Sequence, residues 1–332
     1  MPFRIIRNDI TKVKADVIVN TANPRPVIGG GTDTAVYNAA GKEQLLAQRR
    51  AIGDIAPGGA AFTDAFSLNA KYIIHTVGPS WEGGDKGERN VLHSCYEKSL
   101  ALAEKLKARS IAFPMIATGT YGFPKDEALN IALSEIGKFL LVHEMDVTLV
   151  VFDRKALELS EEIAGEIEQF VDDSAHRDLV LSEYNKEDLR RNRRYSSNGS
   201  ASVSLWETRD LDQLLGSTSE TFQQKLLKLI DERGLDDVTV YKRANISKQV
   251  FSKIRSNPAY RPSKRTAFAL SIALQLSVPE MVDLLSRAEI ALSPSSDFDR
   301  IVIYFIEKKR YDIFEIDAAL FKYGQPTIGN YE

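Results

Sequence analysis

The sequence is poor in the residues that build disulfides and metal centres. Its 332 residues include a single cysteine, Cys95, and four histidines. One cysteine excludes an intramolecular disulfide and a multi-cysteine zinc site, so we expect no metal and no cofactor. Cys95 lies in a helical pattern, where we expect a packed thiol.

Long hydrophobic runs are also missing. No uninterrupted apolar stretch is long enough to span a bilayer, and residues 1–7 lack the apolar core of a secretory signal. We therefore expect a cytoplasmic protein of bacterial type with no membrane partner. The formal net charge of −3 excludes a chain-wide attraction to nucleic acid, so any basic surface must be local.

Strands and helices alternate over residues 1–171. Short runs rich in Val and Ile are typical of strands buried on both faces, and they lie at 3–6, 16–19, 72–77, 111–116 and 147–152. Apolar residues at three- and four-residue spacing predict helices at 43–52, 91–106, 127–142 and 156–170. This alternation predicts a layered α/β domain with helices on both faces of a sheet and a ligand at the carboxyl ends of the strands.

The pattern changes twice after residue 171. Residues 172–219 carry an arginine cluster at 190–194 and a Ser/Asn/Gly stretch, and this composition predicts a partly disordered linker. Residues 220–332 predict an all-helical domain with Ser247, Ser263 and Asp312 at helix N-caps. Its helices are predicted near 221–232, 238–244, 247–256, 263–276, 279–288, 298–309 and 313–323.

Three segments of the first domain carry the candidate chemistry. They are Asn8–Thr11, Asn20–Asp33 with three consecutive glycines, and Ala117–Pro124. Glycines let backbone N–H groups approach a ligand, and two such loops facing each other would hold a diphosphate. Asp9 could accept hydrogen bonds from an adenine amino group, while Tyr121 and Phe123 could stack on or cover a sugar.

Together these segments resemble the macrodomain family, specifically its MacroD-type hydrolase branch. The resemblance covers residues 3–171 and includes Asn8-Asp9-Ile10-Thr11, Ala22-Asn23-Pro24 and the pattern Thr-Gly-x-aromatic-Gly-aromatic-Pro ending at Pro124. It implies a three-layer α/β macrodomain with a mixed sheet between helices. It also implies ADP-ribose as the ligand.

The resemblance implies roles for individual residues. Asp9 and Ile10 would bind adenine, Asn20 would support the first loop, and Asn23 would fix the distal ribose. Asn23 and Asp33 would be catalytic, with Asp33 orienting or deprotonating a water. The two phosphate loops would be formed by Gly29, Gly30, Gly31, Thr118, Gly119, Thr120, Tyr121, Gly122 and Phe123.

Two positions depart from the MacroD pattern. Thr34 stands where that branch usually has glycine after the acidic residue, and Tyr37 stands where it usually has histidine. Tyr37 can hydrogen-bond but titrates near pH 10, so turnover would be slow if the histidine assists catalysis. Asp33 has a structural interpretation as a helix N-cap, and His75 is interpreted as a buried core histidine.

Residues 238–255 predict a helix, a tight turn and a second helix. They resemble the Cro/repressor-type helix-turn-helix, with a resemblance extending over 222–292. Eight basic residues and no acidic residue lie between Tyr241 and Arg265. Base edges would be contacted by Ser247, Lys248, Gln249 and Ser252, and phosphates by Lys253, Arg255 and Lys264. A protein-docking role is the alternative, because the apolar extension 297–332 is unlike a minimal repressor.

The leading functional hypothesis is an ADP-ribosyl hydrolase that removes mono-ADP-ribose from an ester-type linkage, on Asp/Glu or a nucleic-acid end. The helical domain would then target it to DNA or a protein. The alternative is a non-catalytic ADP-ribose reader or sensor that regulates DNA or protein binding. A third hypothesis gives the helical domain alone a function in nucleic-acid binding, and the intact Asp9, Asn20 and Asn23 argue against it.

Overall fold

Six strands form one sheet in the computed structural model, which describes residues 3–152, 159–171 and 220–329. The predicted linker 172–219 lies outside the described residues. The strands are β1 Phe3–Arg7, β2 Val17–Thr21, β3 Ala60–Asp64, β4 Tyr72–Thr76, β5 Ser110–Pro114 and β6 Asp146–Val151. Their order is β1-β6-β5-β2-β4-β3, and only the β3–β4 pairing is antiparallel. The mixed sheet is therefore confirmed.

The sequence analysis found five of these strands and missed β3. Residues Ala60–Asp64 contain no Val or Ile, and Thr63 is the only buried member of the strand. An edge strand that buries so little lacks the apolar signature by which the other strands were recognised.

Helices cover both faces of the sheet. They are α1 Thr32–Ala40, α2 Lys42–Ile52, α3 Glu88–Lys105, α4 Lys125–Val142 and α5 over residues 161–171. Val17 and Val19 belong to the buried cluster that contains α3 and α4, whereas Ile18 between them packs with α1 and α2. This alternation along β2 confirms the three-layer arrangement. Cys95 is buried in α3 and donates to the Val77 carbonyl, confirming a packed thiol.

The C-terminal part contains seven helices in its described residues, as predicted. They are α6 Phe222–Glu232, α7 Asp237–Arg243, α8 Lys248–Ser256, α9 Lys264–Ala273, α10 Val278–Ser286, α11 Asp297–Glu307 and α12 Ile313–Lys322. Ser247, Ser263 and Asp312 accept hydrogen bonds from first-turn amides, which confirms the predicted N-caps. No helix in the described ranges is both long and apolar enough to cross a membrane.

The helical part packs directly on the α/β part. Helix α12 lies against β1 and α4, with the Phe314 ring edge-on to Phe3 at 4.9 Å between centroids. Gly137 on α4 admits this ring, since a Cβ there would lie 3.1 Å from it. One buried hydrophobic cluster runs through both parts. A separate helical domain is therefore not confirmed, and in the described residues the helical part shares a buried cluster with the sheet.

Candidate functional site

A cleft of about 570 Å³ opens at the carboxyl edge of the sheet. This edge collects the loops that follow β1, β2, β5 and β6, because parallel strands end on the same side. The three segments singled out in the sequence all contribute to its walls. Its polar and backbone lining includes Asn8, Asp9, Asn23, Gly29, Gly30, Gly31, Asp33, Thr118, Gly119, Thr120 and Tyr121.

One end of the cleft combines a carboxylate with an aromatic ring. Asp9 begins a short 3-10 helix, Ile10–Lys12, where its Oδ1 accepts from Thr11 N at 2.9 Å and Thr11 Oγ1 at 2.8 Å. Phe152 follows β6 and lines the same cleft with 81% of its surface exposed. The sequence analysis included Phe152 in a strand and missed it as a site residue. The usable signal was an aromatic immediately beyond the last strand, at the edge where ligands bind.

At the other end, Asp33 is held as a buried carboxylate. Its Oδ1 accepts from Asn20 Nδ2 and its Oδ2 from Gly29 N, both at 2.6 Å. Burial raises the pKa of Asp33, while the two hydrogen bonds and the positive charge of Arg49 oppose that rise. Each carboxylate oxygen has two lone pairs, so Asp33 keeps capacity for a further donor.

A neutral histidine, His75, contacts Asn20, the side chain that donates to this carboxylate. Asn20 Nδ2 lies 3.2 Å from His75 Nδ1, and His75 Nε2 lies 2.9 Å from Thr63 Oγ1. Burial lowers the pKa of His75 to about 3, so the ring is neutral near pH 7. Because Asn20 Nδ2 is a donor, His75 Nδ1 accepts and Nε2 carries the proton. The predicted core histidine is therefore confirmed.

Asn23 lies beside this carboxylate at the mouth of the cleft. Its Nδ2 donates to the Val27 carbonyl at 3.1 Å, and its Oδ1 accepts from the Tyr121 hydroxyl at 3.3 Å. Gly29 packs tightly against it, since a Cβ at Gly29 would lie 2.6 Å from Asn23 Nδ2. Gly31 has φ +60° at the N-cap of α1, a conformation that favours glycine.

The second loop closes the opposite wall. Phe123 N donates to the Ala117 carbonyl and Gly122 N to the Gly119 carbonyl, so the loop turns back on itself before α4. Thr118, Gly119, Thr120 and Tyr121 reach the cleft. The cleft thus offers backbone amides on two walls and a single buried carboxylate. Among the described residues, no group of three or more His, Cys, Asp or Glu could hold a metal ion.

Comparison with known proteins places this cleft in a family. The Macro domain family model matches residues 19–132. A Macro domain-containing protein of Methanosarcina mazei is 48% identical over 147 residues, which are 44% of this chain and 78% of that protein. The chain belongs to the macro domain family.

Other macro domain proteins match over similar lengths. An O-acetyl-ADP-ribose deacetylase of Klebsiella pneumoniae is 48% identical over 139 residues, covering 41% of this chain and 79% of that enzyme. A solved macrodomain of Oceanobacillus iheyensis with ADP is 38% identical, covers 46% of this chain and 84% of its own, and has a TM-score of 0.44.

The structure places most predicted macro domain site residues on the cleft, with three exceptions. Asn20 is fully buried and acts on the site through Asp33. Phe123 is buried and packs edge-on to Trp81 at 4.7 Å between centroids, so its aromatic ring belongs to the core. Gly122 has φ +64° and shapes the turn of the loop. None of these three lines the cleft.

Helix α1 carries two residues that the sequence analysis interpreted, Asp33 and Tyr37. The N-cap of α1 is Gly31, so the N-cap interpretation of Asp33 is wrong; Asp33 lies one residue inside the helix. Tyr37 is buried and does not line the cleft. Burial, together with the nearby charge of Asp33, raises the pKa of Tyr37 to about 12. It therefore offers no proton-transfer group to the macro domain cleft.

Part of the basic character of the helical segment is neutralised by acids distant in sequence. Arg255 pairs with Asp237 at 2.6 Å, and Lys264 pairs with the buried Asp299 at 2.5 Å, so both predicted phosphate-binding side chains have acidic partners in this structure. Ser247 caps α8 with its hydroxyl. The remaining predicted contact residues are exposed on α8: Lys248, Gln249, Ser252 and Lys253.

Proposed function

We propose that the cleft binds ADP-ribose and hydrolyses an ester-type bond at its distal ribose. The observation that carries this proposal is the pair formed by Asp33 and Asn23, a buried carboxylate and a carboxamide side by side at one end of a cleft walled by backbone amides. Related macro domain proteins named O-acetyl-ADP-ribose deacetylase support the same class of substrate.

The ligand would lie with its adenine at the Asp9 end. Both Thr11 donors engage Asp9 Oδ1, so Asp9 Oδ2 can accept from the adenine amino group, and the exposed Phe152 ring can stack on the base. The diphosphate would lie between Gly30 and Gly31 on one wall and the loop 118–121 on the other, whose N–H groups would offset its charge. The Gly29 N–H already donates to Asp33. The distal ribose would then reach Asn23 and Tyr121.

Hydrolysis needs a base and an oriented water. Asp33 would accept a proton from a water that attacks the carbonyl carbon of the ester. The bond between that carbon and the ribose oxygen would then break, and Asp33 would return the proton to the leaving ribose oxygen. The raised pKa of Asp33 makes it a stronger base than an exposed aspartate. Asn23 would hold the ribose hydroxyls so that attack occurs within one complex.

The test is release of ADP-ribose from a peptide carrying ADP-ribose on a glutamate ester. We expect Asp33→Ala and Asn23→Ala each to reduce release at least tenfold, whereas Glu97→Gln, an exposed carboxylate on α3, leaves it unchanged. Equal release by the wild type and Asp33→Ala would refute the catalytic assignment.

A non-catalytic reader is a second candidate, and the burial of Tyr37 favours it. The position where the MacroD branch has histidine here gives no titratable group to the cleft. Calorimetric binding of ADP-ribose by the wild type, combined with no release from O-acetyl-ADP-ribose or the ester peptide, would support the reader. A ligand-dependent change in DNA affinity would extend it to a sensor.

We also propose that α7 and α8 form a helix-turn-helix that targets the macro domain to DNA. The exposed Lys248 and Lys253 on α8 support it, because no ion pair engages them within the described residues. We expect the double variant Lys248→Ala/Lys253→Ala to weaken duplex binding and flatten its salt dependence, with Lys228→Ala on α6 as the control. If the wild type does not bind duplex DNA, or if the double variant binds it as tightly as the wild type at every salt concentration, the DNA proposal fails and protein docking is favoured.

A further inference from the structure

Arg49 on α2 is a fully buried arginine, with 1% of its surface exposed. All three of its hydrogen-bond acceptors in the described structure are backbone carbonyls: Asn23 O at 3.2 Å, Pro24 O at 3.1 Å, and Gly53 O. Burying a guanidinium without a contacting carboxylate is costly. Such a residue needs a compensating role, and its neighbours indicate one.

The first role concerns the loop that carries Asn23. Arg49 holds the Asn23 and Pro24 carbonyls, and Ile55 N donates to the same Pro24 carbonyl at 2.9 Å. These bonds dock the loop on the C-terminal end of α2. The main chain of Asn23 is thereby fixed from behind while its side chain faces the cleft.

The second role concerns charge. The positive charge of Arg49 lowers the pKa of Asp33, against the effect of burial. The other titratable groups facing Asp33 are Tyr37 on α1 and Tyr121 on the second loop, both with raised pKa values, and the neutral His75 behind Asn20. None of these can replace the positive charge of Arg49.

We propose that Arg49 is a positioning residue for the site, whose buried guanidinium fixes the loop that carries Asn23 beside Asp33. This inference rests on the proposed hydrolase, since it assigns Asn23 and Asp33 their roles there. It adds a residue on α2 that does not line the cleft.

Two substitutions separate the two roles. Lysine keeps the charge but lacks the planar fork that reaches three carbonyls, whereas methionine removes both. Without the positive charge of Arg49, the pKa of Asp33 rises further. Because the reaction needs ionised Asp33, the acid limb of its pH profile then moves to a higher pH. Arg50→Met is the matched control, since Arg50 is the next residue on α2 and is exposed.

The experiment measures kcat and KM for the ester peptide against pH in the full chain, with hydrogen exchange of the Ile55 amide. For Arg49→Met we expect the acid limb of kcat at higher pH, KM raised about tenfold and faster Ile55 exchange. For Arg49→Lys we expect a wild-type acid limb with raised KM and faster exchange. Arg50→Met should match the wild type.

The outcomes distinguish this inference from the proposed function. A wild-type acid limb and wild-type Ile55 exchange in Arg49→Met would overturn the inference. If Arg49→Met does not fold, wild-type KM and wild-type exchange in Arg49→Lys would overturn it. If the wild type binds ADP-ribose without turnover, the hydrolase fails, and the carboxyl titration of Asp33 by ¹³C NMR then tests the role of the charge. An unchanged titration in Arg49→Met would overturn the inference.

Discussion

The side chain of Asn245 completes the backbone hydrogen bonding of Phe3. Phe3 N donates to Asn245 Oδ1 at 2.8 Å, and Asn245 Nδ2 donates to Phe3 O at 2.9 Å. Since β1 is an edge strand, these two groups of Phe3 have no neighbouring strand to pair with. Asn245, in the turn between α7 and α8, therefore pairs with the Phe3 N–H and C=O as a neighbouring strand would.

We expect Asn245→Ala to lower the free energy of unfolding by about 3 kcal/mol, because a buried donor and acceptor lose their partner. Alanine also tolerates the φ of +51° at this position poorly. Asn245→Gly is the control, since it removes the hydrogen bonds but accepts the dihedral. Urea unfolding should rank wild type above glycine and glycine above alanine; a glycine variant as stable as the wild type would contradict the role of the hydrogen bonds.

Gly29 and Gly30 should respond differently to a methyl group. At Gly29 a Cβ would lie 2.6 Å from Asn23 Nδ2, so Gly29→Ala displaces Asn23, whereas a Cβ at Gly30 meets nothing within 4 Å. We expect Gly29→Ala to lower both the Tm of the free protein and the affinity for ADP-ribose. Gly30→Ala should keep the Tm and affect only binding. Equal Tm values for the two variants, measured by calorimetry without ligand, would contradict this packing.

Much of the fold could be predicted because periodicity reports which face of an element is buried. The continuous runs of β1, β2, β4, β5 and β6 and the amphipathic helices were readable for that reason. Periodicity does not report what covers a face. The packing of Phe314 against Phe3, and the shared core it creates, depend on contacts some 300 residues apart and have no local signal.

The candidate site also combines residues that have a local sequence signal with residues whose contacts only the fold shows. That Asn23, Asp33 and Tyr121 line one cleft could be predicted, because they belong to motifs that are contiguous in sequence. The sequence analysis did not single out Arg49, because only the fold shows that its guanidinium reaches the Asn23 carbonyl. Similarly, Lys264 was counted as basic because its partner Asp299 lies 35 residues away. Local charge counts overstate a basic surface when acids from other elements fold onto it.

Phe152 is predicted to contribute to binding and not to folding. Because 81% of its surface is exposed beside Asp9, Phe152→Ala should leave the Tm within about 1 °C of the wild type. Stacking on a base is worth about 1–3 kcal/mol, so the Kd for ADP-ribose should rise by roughly 5- to 150-fold. Val142→Ala, an exposed apolar position at the end of α4, is the control in calorimetric titration. An unchanged Kd in Phe152→Ala would show that the ring does not contribute to adenine binding.

Asp317 is a buried carboxyl group that holds the backbone of Ile328 and Gly329, so its protonation links stability to pH. It is fully buried on α12, where its carboxylate accepts from Ile328 N at 2.5 Å and Gly329 N at 3.0 Å. Gly329 in turn lies close to Phe3, since a Cβ there would be 2.9 Å from the Phe3 carbonyl. Burial raises the pKa of Asp317 to about 7, against the two hydrogen bonds and the charge of Arg265.

The sign of the resulting pH dependence follows from linkage. The folded chain keeps the Asp317 proton up to about pH 7, whereas the unfolded chain releases it near pH 4, so stability from this group falls as the pH rises between those values. The loss is on the order of 4 kcal/mol at most. The side chain in Asp317→Asn is neutral at every pH. From pH 4 to pH 7 the wild type should therefore lose unfolding free energy relative to this variant. Other carboxylates contribute equally to both proteins and cancel in this difference. A difference that stays constant across that range, measured by urea unfolding, would show that Asp317 does not titrate in the folded protein there.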